Sequence, residues 1–249
     1  MSFIQFFPTS WKMVTIIFFR KQNKDPLQPR SYRPISLLPI MGKLLEKIIR
    51  NRVMTYLESN NYLDNDQHGF REGRGVVTAL SSLLLKLESL QNYFKYVSVI
   101  SLDIMGVFDT ISWDVLFIVI EETDLPNYLK ILLKNYLVKR KISTKLSTGI
   151  KWASLTKGCP QGSCVGPLLW LFTGDKILKS FKLINWNNLD SIISYADDFI
   201  IVVKGDSRDE LEHDANIKLE NFLEICERYK MNLQDIKWAY LKRNQERSW

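Results

Sequence analysis

Ser191-Ile-Ile-Ser-Tyr-Ala-Asp-Asp-Phe-Ile-Ile-Val-Val203 decides the fold: two apolar, β-branched runs flank Ala196-Asp197-Asp198. Such runs form strands, and so short an interval between them predicts a tight hairpin. Asp is common in turns, but two adjacent carboxylates held between apolar strands repel each other unless a cation shares them. Upstream, Val97-Ser-Val-Ile-Ser-Leu-Asp-Ile104 reads as a strand that ends close to Asp103. Downstream, Leu211, Ala215, Leu219, Phe222, Leu223 and Cys226 recur at helical spacing, and Ile236 to Leu241 reads as a short last strand. Between the first strand and the hairpin lie helical patterns at about 113–122 and 127–138 and another after Gly166. The order strand, helices, hairpin, helix, strand predicts an α+β fold with a ferredoxin-like, split β-α-β sheet. Its topology makes the Asp103 strand and the hairpin neighbours, so Asp103, Asp197 and Asp198 are expected to meet at one edge.

The N-terminal part is of another kind. Met13-Val-Thr-Ile-Ile-Phe-Phe19 reads as a buried strand, and Gln22 to Pro34, with Pro26, Pro29 and Pro34, as an extended loop. Leu44, Leu45, Ile48, Ile49, Val53, Tyr56 and Leu57 form one helical stripe; Val76, Val77, Leu80, Leu83, Leu84 and Leu87 form a second. Asp109 and Asp114, near Trp113, are expected to cap a helix.

Composition excludes several classes. A chain of 249 residues that is 46% hydrophobic can bury a core and is no disordered tail. No apolar run approaches the ~20 residues that span a bilayer, so no membrane association is expected. Three Cys and two His give neither a disulfide framework nor a zinc site, which predicts a reducing, intracellular setting. The net charge is +7, and from Leu125 to Gly174 there is no carboxylate while Lys130, Lys134, Lys139, Arg140, Lys141, Lys145, Lys151 and Lys157 accumulate. Such a block attracts a polyanion, and carboxylates elsewhere attract a divalent cation. Carboxylate oxygens suit Mg²⁺, which binds through few protein groups plus substrate phosphates. Two such ions about 3.5–4 Å apart serve an in-line phosphoryl displacement.

Several segments resemble the motifs of one family, in that family's order. Tyr195-Ala-Asp-Asp198 resembles the catalytic motif of reverse transcriptases. Tyr32-Arg-Pro-Ile-Ser-Leu-Leu38 with Lys43-Leu-Leu-Glu-Lys47, and Gln67-His-Gly-Phe-Arg-Glu-Gly-Arg74, resemble the fingers motifs of non-LTR (LINE-type) retrotransposon reverse transcriptases. Leu102-Asp-Ile-Met-Gly-Val-Phe-Asp109 resembles the first palm motif, and Gly158-Cys-Pro-Gln-Gly-Ser163 the loop that grips template and nucleotide. Met231-Asn-Leu-Gln-Asp-Ile-Lys237 resembles the lysine-bearing motif that follows. The likeness runs from about Trp11 to Tyr240.

The resemblance implies an RNA-directed DNA polymerase that adds dNTPs to a DNA primer on an RNA template, with two Mg²⁺ ions for which Mn²⁺ can substitute. It implies metal-binding catalytic roles for Asp103, Asp197 and Asp198. Nucleotide contacts are implied for Arg33, Lys21, Phe108 (as a gate against the 2′-hydroxyl), Gln161, Gly162 and Lys237, the last as proton donor to pyrophosphate. Nucleic-acid contacts are expected of Arg71, Arg74, Lys139, Arg140, Lys141 and Tyr195. Residues 1–95 would be fingers, 96–241 palm, with the helices near 113–138 next to the fingers, and 242–249 a tail. Nucleus and cytoplasm are the family's setting, and the oligomeric state is open. Met105, Val107, Gly75-Val76, Leu171 and Trp238 depart from the family pattern. No endonuclease, zinc knuckle or thumb is evident, so a piece of a longer element is expected. The alternatives are an inactive or domesticated remnant that binds nucleic acid, an intron-encoded or other cellular reverse transcriptase, or an unrelated RNA-binding α+β module.

Overall fold

The computed structural model describes residues 6–184 and 191–242. In chain order the elements are β1 (Met13–Arg20), β2 (Tyr32–Leu37), α1 (Ile40–Ser59), α2 (Val76–Tyr93), β3 (Tyr96–Ile104) and the short α3 (Val107–Thr110). Then come α4 (Trp113–Glu121), α5 (Asn127–Leu137), the strands β4 (Lys141–Leu146) and β5 (Gly149–Ser154), and α6 (Gly166–Ile184). The chain continues with β6 (Ser191–Tyr195), β7 (Asp198–Gly205), α7 (Arg208–Arg228) and β8 (Leu233–Lys242). Two compact units result: Met1–Asn60 with Phe108–Trp170, and Asn61–Val107 with Leu171–Trp249.

The first unit holds a sheet of order β2-β1-β4-β5. The expected strand at Met13–Phe19 is present but not buried as expected, since only Val14 is covered while Met13, Ile17, Phe18 and Phe19 are exposed, and the expected loop is shorter than predicted. It closes at a 3-10 turn, Pro29–Ser31, and Pro34 lies within β2, opposite Phe18. Proline has no N–H to give to a ladder, and β2 is an edge strand, where that loss is tolerated. The pair β4–β5 escaped the sequence pattern altogether. Both strands are short, and every residue of β5 is exposed, so no alternation marks it. Beside the sheet, α1, α4 and α5 bury Ile49, Val53, Leu57, Leu116, Ile120, Leu133 and Leu137. The Phe7 ring meets Tyr136 edge-on, centroids 5.1 Å apart.

The second unit has the predicted topology. Its sheet runs β6-β7-β3-β8 with every neighbouring pair antiparallel, the ferredoxin-like order for strand, helix, hairpin, helix, strand. Strand β3 alternates because one face is covered: Ser98, Ile100, Leu102 and Ile104 are buried, while Val99, Ser101 and Asp103 on the other face are half-exposed, and only Val97 on that face is buried, beside Leu90 of α2. Leu102 lies opposite Phe199. Phe199 stacks edge-on with Phe222 of α7 (5.2 Å), which in turn meets Phe181 of α6 (6.0 Å). This covered face is the core that fixes the register.

Helix α2 belongs to this unit, since Leu90 is buried with Val97 and Val202, and Leu83 and Leu87 pack against them. The outer part of its predicted stripe, Val76, Val77, Leu80 and Leu84, is exposed. Of the expected tail, Lys242 closes β8, and 243–249 lie outside the described residues.

Candidate active site

Asp103 is the penultimate residue of β3, and its register partner on β7 is Asp198. Residues directly opposite in an antiparallel pair project from the same face. Asp197 and Ala196 form the two-residue turn between β6 and β7, and the Asp197 carbonyl accepts the Ile104 N–H at 3.3 Å. The second unit thus brings the three predicted carboxylates to one end of the sheet. Ala196 has φ +56°, in the left-handed region that costs an L-residue roughly 1–2 kcal/mol.

On its other side Asp103 is opposite Asp235 of β8, so carboxylates stand in register on three adjacent strands. Sequence reading passed over Asp235, because only the register of β8 aligns it with Asp103. Like charges directly opposite are destabilising, and the effect is visible in protonation. Burial, then Asp197, with a smaller push from Asp235, holds Asp103 above the ordinary carboxylate range, against a counter-pull from Lys237. Partial desolvation, then Asp197 and Asp103, does the same to Asp198, again opposed by Lys237. Lys237 itself is 75% exposed and pairs with Asp235 at 3.3 Å. Among the described residues no three His, Cys, Asp or Glu side chains form a closed ligand group. Oxygen-only donors with surplus negative charge nevertheless fit a hard divalent cation that takes its remaining ligands from water and phosphate. Tyr195, one residue before the turn, is exposed.

Two arginines of the fingers motif sit in the same unit. Arg71 is only 9% exposed, and its Nη1 donates to the carbonyls of Asp64 (2.7 Å) and Gln67 (3.2 Å). A head group turned onto these backbone carbonyls braces its loop. Arg74 is half-exposed and bonds to Asn65 through its carbonyl and side-chain oxygens.

In the first unit the loop Gly158–Ser163 is stitched to Phe108 and to the segment after α3. Gly158 N–H donates to Ile111 O (2.8 Å), Cys159 N–H to Phe108 O (2.7 Å), and Trp113 Nε1 to Gly158 O (2.8 Å). On the open edge of β2, Ser36 N–H donates to Gln161 O at 3.0 Å. Gly162 has φ +95°, a conformation that favours glycine. The Gln161 amide donates to both carboxylate oxygens of Asp109 at 3.0 and 2.9 Å. Asp109 is therefore no helix cap. Ser112 occupies the cap position of α4, and Asp114 lies in that helix's first turn, where its charge meets the positive helix end. Phe108 is half-buried, Arg33 exposed and Lys21 half-exposed.

The basic triplet after α5 divides. Lys139 and Lys141 are exposed, whereas Arg140 is 0% exposed and paired with Glu46. Lys139 has φ +60°, and the turn it makes sends the next side chain inward. Arg140 is a core residue, and the expectation that it contacts nucleic acid is corrected. The cysteines carry no disulfide, and burial pushes the Cys159 and Cys226 thiols up to about 12.

An antiparallel ferredoxin-like sheet with an Asp on its first strand and an Asp pair at the neighbouring hairpin defines a protein of the polymerase-palm class. The family described as reverse transcriptase (RNA-dependent DNA polymerase) matches residues 20–248, and the chain belongs to it. The probable RNA-directed DNA polymerase from transposon X-element of Drosophila melanogaster is 32% identical over 88% of this chain and 24% of its own length. The RNA-directed DNA polymerase from mobile element jockey, also of Drosophila melanogaster, is 30% identical over 82% of this chain and 22% of its own length. The chain thus spans about a quarter of the length of these relatives. Telomerase from Candida tropicalis, solved with a fragment of telomeric RNA, superposes with a TM-score of 0.71 over 92% of this chain and 41% of its own. At 11% identity that likeness shows the fold alone. No helix among the described residues is long and apolar enough to cross a membrane.

Proposed function

We propose that this chain is the fingers-and-palm region of a non-LTR retrotransposon's RNA-directed DNA polymerase, which extends a DNA primer with dNTPs on an RNA template. The observation that carries the proposal is the register of Asp103 against Asp198, with Asp197 in the adjoining turn. The relatives that bear the name RNA-directed DNA polymerase support it. Asp103, Asp197 and Asp198 would hold two Mg²⁺ ions, with Mn²⁺ able to replace them. Bound there, the ions supply an activated primer 3′-oxygen and a stabilised leaving oxygen.

The remaining roles fall to side chains. Arg33 and Lys21 are available cations for a triphosphate. Gln161, its amide oriented by Asp109, and Gly162 present an ordered loop to the incoming nucleotide. Lys237, two residues beyond Asp235 on β8 and paired with it, would give a proton to departing pyrophosphate. Arg74, Lys139, Lys141 and Tyr195 remain for nucleic-acid contacts. An intracellular setting, in nucleus and cytoplasm, accompanies this reading.

Incorporation of labelled dNTPs on a primed RNA, with and without Mg²⁺, tests the proposal. Metal-dependent extension on RNA is expected. Nucleic-acid binding without extension, in this chain and in the longer element that contains it, would favour an inactive remnant.

Phe108 is the expected sugar gate, so Phe108→Ala should raise ribonucleotide relative to deoxyribonucleotide incorporation by at least about tenfold, a change of about 1.4 kcal/mol in discrimination. Competition between the two nucleotides in single-turnover extension measures it. An unchanged ratio would return Phe108 to simple packing.

A further inference from the structure

Strand β6 is an edge of its sheet, and an edge leaves backbone donors and acceptors unpaired. Among the described residues this edge is closed at Ser194, close before the carboxylate turn. Ser194 N–H donates to Asp66 O at 2.9 Å, and His68 N–H donates to Ser194 O at 2.8 Å, a parallel bridge centred on Gln67. The Gln67 side chain, 0% exposed, adds a second layer of contacts. Its Nε2 donates to Ser194 Oγ (3.1 Å), and its Oε1 accepts the Gly69 N–H (3.1 Å).

That last bond carries the contact forward to the turn itself. Gly69 lies so close that a Cβ on it would stand 2.2 Å from Ala196 N and 2.8 Å from Ala196 Cα. Ala196 is the residue held at positive φ, directly before Asp197. The bracing segment is itself anchored. Asp66 bonds to Lys86 of α2 and Lys182 of α6, each at 2.6 Å, and Asp64 bonds to Lys182 at 2.6 Å. His68 Nδ1 meets Thr78 Oγ1 of α2 at 3.0 Å.

We propose that Gln67 is a positioning residue for the Asp197–Asp198 turn: through Ser194 and Gly69 it fixes where the hairpin carboxylates stand. The proposal rests on the polymerase reading, because it gives those carboxylates a metal to hold. A buried amide that bonds both to the strand entering the turn and to the glycine touching the turn has no water to replace either partner. Its loss releases the hairpin locally, while the apolar face of the sheet, packed on Phe222, stays covered.

The test uses the 249-residue chain and Mn²⁺ alone, titrated by the paramagnetic signal of the free ion. Gln67→Met, similar in size but without the amide, should weaken Mn²⁺ binding about 10-fold, the lower end of what losing a supporting partner costs a metal site. Its circular dichroism should match that of the parent chain. In primer extension its kcat should fall while the KM for dNTP changes little. Ser194→Ala removes the same hydrogen bond from the other side, should weaken Mn²⁺ binding in the same direction, and should add nothing to Gln67→Met.

Parental Mn²⁺ affinity and kcat in Gln67→Met, with only a lowered Tm, would overturn the proposal by making Gln67 a packing residue. If Gln67→Met does not fold, Ser194→Ala decides, and unchanged Mn²⁺ affinity there overturns it equally. Failure of the polymerase reading looks different: the parent chain and Asp198→Asn would then bind Mn²⁺ alike, and both proposals would fall.

Discussion

Arg140→Met alone should destabilise the protein by about 3–5 kcal/mol, the usual cost of stranding one partner of a buried ion pair. Both Arg140 and Glu46 are 0% exposed, with Arg140 Nη2 3.8 Å from Glu46 Oε1. The guanidinium lies over the Tyr136 ring, 3.9 Å from its centroid, and 5.3 Å from that of Phe7. Its Nε donates to Tyr136 O at 2.8 Å. Glu46 Oε2 accepts the Cys164 N–H at 2.9 Å, so the carboxylate left behind would be a buried charge with one backbone donor for company.

Relief of Lys12 is a smaller opposing effect, since burial first, and then Arg140 and Lys139, hold that ammonium below its usual value. Replacing both partners, Glu46→Met with Arg140→Met, removes the stranded charge and should recover most of the loss. Urea denaturation of the two singles and the double measures this. A cost below about 1 kcal/mol for Arg140→Met would mean the pair contributes no more than a surface bridge. Because Glu46 holds Cys164, just after the loop of Gln161 and Gly162, Glu46→Met and the double should both weaken nucleotide use, even where the double recovers stability.

Arg140 also shows where sequence reading stops. In Val138-Lys-Arg-Lys141 nothing local separates the buried cation from its exposed neighbours; the positive φ at Lys139 and a carboxylate on α1 do so. Asp109 is similar: its composition suited a helix cap, but its partner, Gln161, lies far along the chain. The second unit's sheet was legible because its strands are apolar and β-branched: Val97–Ile104 half alternates, and Phe199–Val203 is a continuous apolar run. Strands β4 and β5 bury too little to leave such a trace. Of the candidate site, the residues were readable from motif resemblance. The Asp103–Asp198 opposition followed from topology, whereas Asp235 and the Gln67 brace depend on register and on one close backbone contact.

Asp103→Asn should have two opposite effects, and together they separate a catalytic carboxylate from a structural one. A divalent ion contributes several kcal/mol of transition-state charge stabilisation, so loss of the carboxylate should reduce RNA-templated extension on the order of 10³-fold or more. Without metal the same substitution should stabilise the protein. Asp103 faces Asp198 and Asp235 across two strand pairs, and relief of like-charge opposition is worth roughly 0.2–1 kcal/mol per pair. At this chain length that raises Tm by about 2–4 °C per kcal/mol.

The pH dependence follows from the same crowding. Asp103 and Asp198 both titrate above the ordinary carboxylate range in the folded state. They therefore favour folding most below the unfolded carboxylate pKa, and that support is lost as pH rises through their raised values. The metal-free parent should lose this support over that interval, and Asp103→Asn should lose less of it. Added Mg²⁺ should stabilise the parent at neutral pH and leave the variant nearly unchanged, because a ligand that binds only the folded state adds to its stability. Calorimetry of both chains with and without Mg²⁺ reads all of this. A variant less stable than the parent without metal would show that Asp103 serves the fold, whereas a more stable variant that no longer extends a primer is what a carboxylate kept for metal predicts.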